Sequence, residues 1–311
     1  MPADGQPLVS VCIPVHNDAG VVADALGSAM RQGYTPLEIV VIDNCSTDDT
    51  LRVVAETAAG DRRVRVISNA ENIGMARNFS KCVEEAAGAF VTVLCADDVL
   101  EDRCIEKLAS ALHEHPQAVL AACGRVITDA SLEPSFVLQA RRRQQEVSSL
   151  ALSRECFSRG NLIGEPSAVL FRRAEAARGF DSRYSQSLDL EMWLHLLEKG
   201  SAVLIPDPLC RIRQHAGQAT RRNMRSGRIV SDKQLLFRQY AAKLEASLTP
   251  MEKLAWDARM ASSVARTGAA GGVVDVSQLT ELFYPRIFSL VLRPLAGMGW
   301  TLRGVIGSQR L

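Results

Sequence analysis

The densest chemistry in this chain is the pair Asp97-Asp98. The run before it, Phe90-Val91-Thr92-Val93-Leu94-Cys95, is apolar and partly β-branched, which suits a strand buried in a parallel sheet. Two carboxylates at the end of such a strand oppose each other's ionisation unless a positive charge stands beside them. A divalent cation with oxygen ligands is the usual solution, and the carboxyl ends of strands are where open α/β sheets bind ligands. The other reading is a solvated turn in which one of the two acids caps a helix starting near Glu101. On this stretch alone both stand.

Three other predicted strand ends also carry polar groups. Residues 9–14 read as a strand leading to Asn17-Asp18, residues 38–42 as one leading to Asp43, and residues 63–67 as one leading to Asn72 and Arg77. In a parallel sheet these groups share a rim with Asp97-Asp98. Further along, Leu188 to Leu197 reads as an apolar helix with acids at its start. Asp189 and Trp193, four apart, share a face, and Glu191 points elsewhere. Asp189 there is either a functional carboxylate or an acid stabilised by the helix dipole. The basic segment 211–228 includes His215. It reads as a solvated helix, a diphosphate clamp or a contact for anionic head groups. Arg141-Arg142-Arg143 reads as a solvated face.

The elements needed to position these groups are legible as alternation. Apolar residues at helical spacing follow the first strand, from Val21 to Met30, and again from Leu51 to Ala58. A helix opens at Asn72–Asn78 and runs to about Ala87. Residues 101–115 form another, followed by a strand near 118–122. Strands alternating with helices predict a doubly wound, mostly parallel sheet with helices on both faces. The regular pattern breaks after Thr128. Beyond Val230 the chain reads as helical, with a Gly-rich break at 268–272. The tail 283–300 is amphipathic and interrupted by Pro294 and Gly297; it suits membrane-surface contact, packing on the domain, or a second subunit. No internal repeat is visible.

Bulk properties narrow the class. The net charge of +1 over 311 residues gives no electrostatic footprint for nucleic acid. A hydrophobic content of 47% supports a real core. The 8 cysteines include no C-x-x-C pair, so free thiols in a reducing compartment are expected, and a zinc site is not. Residues 1–7 lack a secretory pattern, and no stretch has the length and apolarity of a membrane span. The expectation is a cytoplasmic protein, peripheral at most to the inner face of the membrane.

Four segments taken in order, Val11-Cys12-Ile13-Pro14-Val15-His16-Asn17, Glu38 to Asp48, Asn72-Ile73-Gly74-Met75-Ala76-Arg77-Asn78 and Leu94-Cys95-Ala96-Asp97-Asp98, resemble the successive motifs of the family-two inverting glycosyltransferases. The resemblance covers roughly the first two-thirds of the chain. It implies the GT-A fold, an α/β nucleotide-sugar-binding domain over residues 1–228, with a nucleotide-sugar half (1–128), an acceptor-side half (129–228) and a helical C-terminal extension (229–311). By the same resemblance Pro14, His16, Asn17, Asp43, Arg77 and Asp97 bind the nucleotide sugar. Asp97, Asp98 and His215 would hold Mn2+ or Mg2+. Cys95 stands where the family often has another acid. Leu188 to Trp193 resembles the family's catalytic helix start, with Asp189 on the base, and Glu165, Glu191 and Trp193 fall on the acceptor side.

The chemistry suits those residue types. Inverting transfer needs a carboxylate to take the acceptor hydroxyl's proton and a cation to neutralise the departing nucleoside diphosphate. The expected function is transfer of a sugar from a nucleotide-diphosphate sugar to a glycan or lipid-linked acceptor hydroxyl in surface polysaccharide synthesis. A homodimer and membrane contact through the tail are compatible partners. A non-catalytic nucleotide-sugar-binding or scaffold protein is the alternative, favoured by Cys95 and Leu188. A nucleotidyltransferase lacks a Gly-rich basic phosphate loop after the first strand.

Overall fold

The computed structural model of the chain describes residues 5–215, 223 and 226–269. The amphipathic tail 283–300 and the arginines at 221, 222 and 225 lie outside the described residues.

The first strand, β1 (Val9–Val15), is buried at every position, as its β-branched run requires. A helix α1 (Val22–Met30) follows, burying Val22, Ala25, Leu26 and Ala29. This is the i, i+3, i+4, i+7 stripe that commits one face to a core. Strand β2 (Leu37–Asp43), helix α2 (Thr50–Thr57), strand β3 (Val64–Ser68), helix α3 (Met75–Glu85) and strand β4 (Phe90–Val93) continue the alternation. β2 and β4 pair on either side of β1, and β3 pairs with β2, all in parallel. The carboxyl ends of β1, β2, β3 and β4 therefore share one rim.

The chain then departs from a simple alternation. A two-residue strand β5 (Val99–Leu100) comes directly after Asp98, and the next helix, α4, spans Cys104–Glu114. Neither Asp97 nor Asp98 caps it, because β5 pairs antiparallel with a strand over a hundred residues later. Strand β6 (Ala118–Thr128) is longer than expected. It is followed by β7 (Pro134–Leu138), β8 (Gln145–Val147), helix α5 (Ser149–Arg159), β9 (Val169–Arg172), helix α6 (Leu188–Leu197) and β10 (Ser201–Arg213). The sheet order is β3-β2-β1-β4-β9-β6-β10-β5, with β7 on β6 and β8 on β10. β10 and β6 run parallel, while β9 enters between β4 and β6 antiparallel to both. β10 runs through Pro206 and Pro208 with register shifts between Leu204 and Cys210, as expected where residues without an N–H interrupt a ladder. Arg211 and Arg213 consequently lie on a strand, which corrects the reading of this run as a solvated helix.

Two helices, α7 (Arg228–Leu244) and α8 (Pro250–Ala269), follow. The chain forms two compact units. One comprises Met1–Leu152, Leu162–Ser182 and Met192–His215 and contains the sheet. The other comprises Ser153–Asn161, Arg183–Glu191 and Ala216–Leu311. No described helix is long and apolar enough to cross a membrane.

Candidate active site

In the sheet-bearing unit, the rim is built from the turns after β1, β2 and β4. Asn17 sits at φ 58°, a left-handed conformation that Asn tolerates better than most residues. Its Oδ1 accepts from Thr47 N (2.8 Å), and its own N–H donates to Ser46 Oγ (3.0 Å), which ties the first turn to the second. Pro14 is buried in β1 and His16 is exposed. Asp43, at the end of β2, is buried, and its carboxylate accepts the Ser46 N–H at 3.1 Å.

Beside Asp43 the structure assembles four asparagines that sequence reading did not group. Asn44 Nδ2 donates to Asn72 Oδ1 (2.9 Å), Asn69 Nδ2 to Asn44 Oδ1 (3.1 Å) and to Asn78 Oδ1 (2.9 Å), and Asn78 Nδ2 to the Ile42 carbonyl (3.2 Å). Asn72 Nδ2 in turn donates to His16 Nε2 (3.0 Å). This network fixes the start of α3, whose first turn carries Arg77, an exposed residue with no ion pair among the described residues. His16 and Arg77 thus stand on the same rim as Asp43, held by side chains that no local motif would link.

The turn after β4 holds the acids. Asp98 is 3% exposed and faces inward. Its Oδ2 accepts from Ser167 Oγ (2.6 Å) and its Oδ1 from the Arg213 N–H (3.1 Å). Burial pushes the Asp98 carboxyl well above the ordinary carboxylate range, and the neighbouring Asp97 charge adds to the rise. Asp97 is the more open of the two and lies 3.1 Å from His215 Nε2 through its Oδ2. The two residues are 118 apart in sequence. Asp18 joins this group: burial raises its carboxyl, and the Asp97 charge raises it further.

Ser167 and Arg213 organise the turn. Ser167 is fully buried, and its Oγ also accepts the Cys95 N–H at 3.0 Å. The Arg213 guanidinium, itself buried, donates to the Asp97 carbonyl (2.9 Å), the Ala130 carbonyl (3.0 Å) and Asp24 Oδ2 (2.6 Å). Glu165 stands just before the short turn bearing Ser167. Its Oε2 is 2.8 Å from Arg125 Nε, outside hydrogen-bond geometry. Gly164, at φ +127°, lies so close to the Arg125 guanidinium that an added Cβ would meet it at 2.9 Å.

Ligating atoms of Cys95, Asp97 and Asp98 lie within 4.8 Å of one another, and His215 Nε2 adds a nitrogen beside Asp97. Carboxylate oxygens with an imidazole nitrogen suit a divalent cation such as Mn2+, so the residues present fit the expected metal. Asp97 and His215 are the open donors. Asp98 is committed to holding the turn, with lone pairs remaining on its oxygens.

The helical unit carries Asp189 and Glu191. Asn161 Nδ2 donates to Asp189 Oδ2 at 2.7 Å. Glu191 is fully buried and accepts from Gln239 Nε2 (3.0 Å) and Tyr240 Oη (3.1 Å) on α7. Trp193, assigned to the sheet-bearing unit, is also fully buried; its Nε1 donates to the Gly164 carbonyl at 2.9 Å. Glu191 and Trp193, expected on the acceptor side, therefore offer no open surface and serve as packing and hydrogen-bonding anchors. The sequence signal for this was their position inside an apolar helix.

The sequence model of the family described as Glycosyl transferase family 2 matches residues 10–174. The teichuronic acid biosynthesis glycosyltransferase TuaG of Bacillus subtilis, a protein described as putative in that role, is 33% identical over 63% of this chain and 74% of its own. Residues 1–349 of S. aureus TarS, solved with UDP-GlcNAc, superpose with a TM-score of 0.60 at 18% identity, covering 96% of this chain and 81% of that one. The mannosyltransferase PcManGT of Pyrobaculum calidifontis, solved with GDP-Man and Mn2+, gives a TM-score of 0.57 at 18% identity, covering 97% and 86%. The mixed sheet described above is the fold these structures share.

Proposed function

Since the chain belongs to glycosyl transferase family 2, we propose that it moves a sugar, with inversion, from a nucleotide-diphosphate sugar to a hydroxyl of a glycan or lipid-linked acceptor in surface polysaccharide synthesis. The relatives' roles and the ligands of the structural neighbours support a nucleotide-sugar donor and a polysaccharide context. The observation that carries the reading is the Asp97–His215 pair at the end of β4, beside Asp18 and on the rim that bears Asp43 and Arg77.

In this reading Pro14, His16, Asn17 and Asp43 line the nucleotide pocket. The asparagine network holds His16 in place, and Arg77 approaches the phosphates. Asp97, His215 and Asp98 would hold Mn2+ or Mg2+. Bound there, the ion would neutralise charge on the leaving diphosphate. Asp189, oriented by the Asn161 amide, takes the acceptor proton as the hydroxyl oxygen attacks the anomeric carbon. The bond to the diphosphate oxygen breaks and its electron pair leaves with the nucleotide. Glu165 borders the acceptor.

The Asp189→Asn variant tests this. It should lose sugar transfer by about 10²–10⁴-fold, the scale of a general base, while nucleoside-diphosphate stabilisation against heat is unchanged. Unaltered turnover would remove Asp189 as the base. Donor binding without turnover in the wild type across an acceptor panel would favour a non-catalytic binder.

A further inference from the structure

One surface of the sheet-bearing unit has no part in the site above. Strand β7 runs antiparallel to β6 with Phe136 opposite Ile127, Val137 opposite Val126 and Leu138 opposite Arg125. Among the described residues no strand pairs with its other edge. Three consecutive apolar side chains stand open on it: Phe136 at 52%, Val137 at 52% and Leu138 at 39% exposure. Alternation puts Phe136 and Leu138 on one face and Val137 on the other, so both faces of the strand are apolar and wet. Such a strand is an aggregation liability unless something covers it.

Three residues beyond Leu138 the chain reads Arg141-Arg142-Arg143, with Arg142 and Arg143 exposed. The acids of this hairpin, Asp129 and Glu133, belong to the turn at the opposite end of β7, about a strand length or 17 Å away. Asp129 Oδ1 is engaged there by the Ser131 and Glu133 N–H groups. Glu146, after the arginines, pairs with His115. An apolar ridge is thus flanked at one end by a cluster of cations.

We propose that β7 and Arg141–Arg143 form a docking surface for an anionic lipid bilayer. Phe136, Val137 and Leu138 would enter the head-group boundary, and the arginines would meet lipid phosphates. A bilayer suits apolar groups on both faces of one strand, because it can surround the ridge. Pairing with a second copy through a five-residue edge would fall far short of the roughly 1,200 Å² that a stable interface buries.

The hairpin is tied to the candidate site. Arg213 donates both to the Asp97 carbonyl and to the Ala130 carbonyl in the β6–β7 turn, and Arg211 Nη1 donates to the Leu132 carbonyl at 3.4 Å. Docking β7 would hold the Asp97–His215 rim at a fixed place relative to the bilayer. That consequence, a lipid-linked acceptor delivered from the membrane, rests on the transferase reading. The docking itself does not.

Sedimentation of the 311-residue chain with vesicles of phosphatidylcholine alone, and of phosphatidylcholine mixed with phosphatidylglycerol, tests the proposal. The wild type should partition to the mixed vesicles only, and less so as salt screens the arginines. The double variant F136S/V137S and the triple variant R141Q/R142Q/R143Q should each weaken partition about tenfold or more. Phe136, Val137, Arg142 and Arg143 are exposed, while Arg141 is half-buried and donates to the Ala140 carbonyl at 2.9 Å. An unchanged melting temperature of each variant would show that the fold persists. No binding by the wild type would overturn the proposal, as would both variants binding like wild type, since attachment would then lie elsewhere. A dimer in ultracentrifugation that F136S/V137S splits would assign the surface to a second copy instead. Sugar transfer to a soluble acceptor, assayed without vesicles, keeps this result separate from the fate of the transferase reading.

Discussion

Arg213 shows how much of the candidate site depends on a single side chain that binds nothing reactive. Its guanidinium and backbone N–H together satisfy a carboxylate on α1, two carbonyls and the buried Asp98. Arginine's planar fork can serve several acceptors in fixed directions, and lysine's single ammonium cannot. Arg213→Lys should therefore retain charge near Asp24 and lose at least one of the carbonyl contacts. A loss of about 1–3 kcal/mol in chemical denaturation is expected from hydrogen bonds to a charged donor. Donor-induced stabilisation should fall with it, because the Asp97 turn loses its strut. Wild-type stability in the variant would show that the three guanidinium contacts are not all needed to hold that turn.

The same reasoning extends to elements. Helix α6 begins with the loop Ser185-Gln186-Ser187, whose three N–H groups all donate to Asp232 Oδ2 on α7, at 2.9, 2.5 and 2.8 Å. Burial raises the Asp232 carboxyl and these N–H groups oppose the rise. This carboxylate fixes the helix start that bears Asp189 and so makes α7 a positioning element. Asp232→Ala should lower kcat for sugar transfer by about tenfold or more, the scale expected when a base is displaced by an ångström or less. The donor KM should hold, and Asp232→Asn should recover much of the rate. Wild-type kcat in Asp232→Ala would free Asp189 from α7. Sequence periodicity foresaw β1, β2, β4 and their polar ends, because each is a local pattern of apolar residues giving way to polar ones within a few positions. It read the chain beyond Val230 as helical and singled out no residue of α7 there, since the partners of Asp232 lie about 46 residues upstream. It also missed Ser167, whose contact to Asp98 spans 69 residues, and the buried role of Arg213, whose contact to Asp97 spans 116. Periodicity carries no signal at that range. The order of the rim motifs was legible, whereas the long-range hydrogen bonds that make them a site were not.

At the scale of the whole molecule the chain does not fold as a linear series of domains. The helical unit draws on three separated segments, and its apolar centre stacks Phe157 on Trp256 with ring centroids 4.3 Å apart. Into the same unit it buries Lys233, whose Nζ donates to the Arg259 carbonyl at 3.1 Å. Burial, with Arg259 and Arg266 adding to it, pushes this lysine down to about 7. An unfolded lysine titrates near 10.4. Between those values the unfolded chain holds a proton that the folded one does not, so the Lys233 contribution to stability rises with pH through that window. Below pH 7 both states are charged and the full penalty of burying the ammonium applies. Cys82 and Cys210, pushed well above their usual range by burial, act in the opposite sense above about pH 8.5. The quantity to read is therefore the difference between wild type and Lys233→Met. The variant should be the more stable at pH 7, and its advantage should shrink by up to about 1.4 kcal/mol per pH unit on the way to pH 10. A variant advantage that does not shrink between pH 7 and pH 10 in parallel denaturant titrations would show that Lys233 keeps its proton in the folded chain.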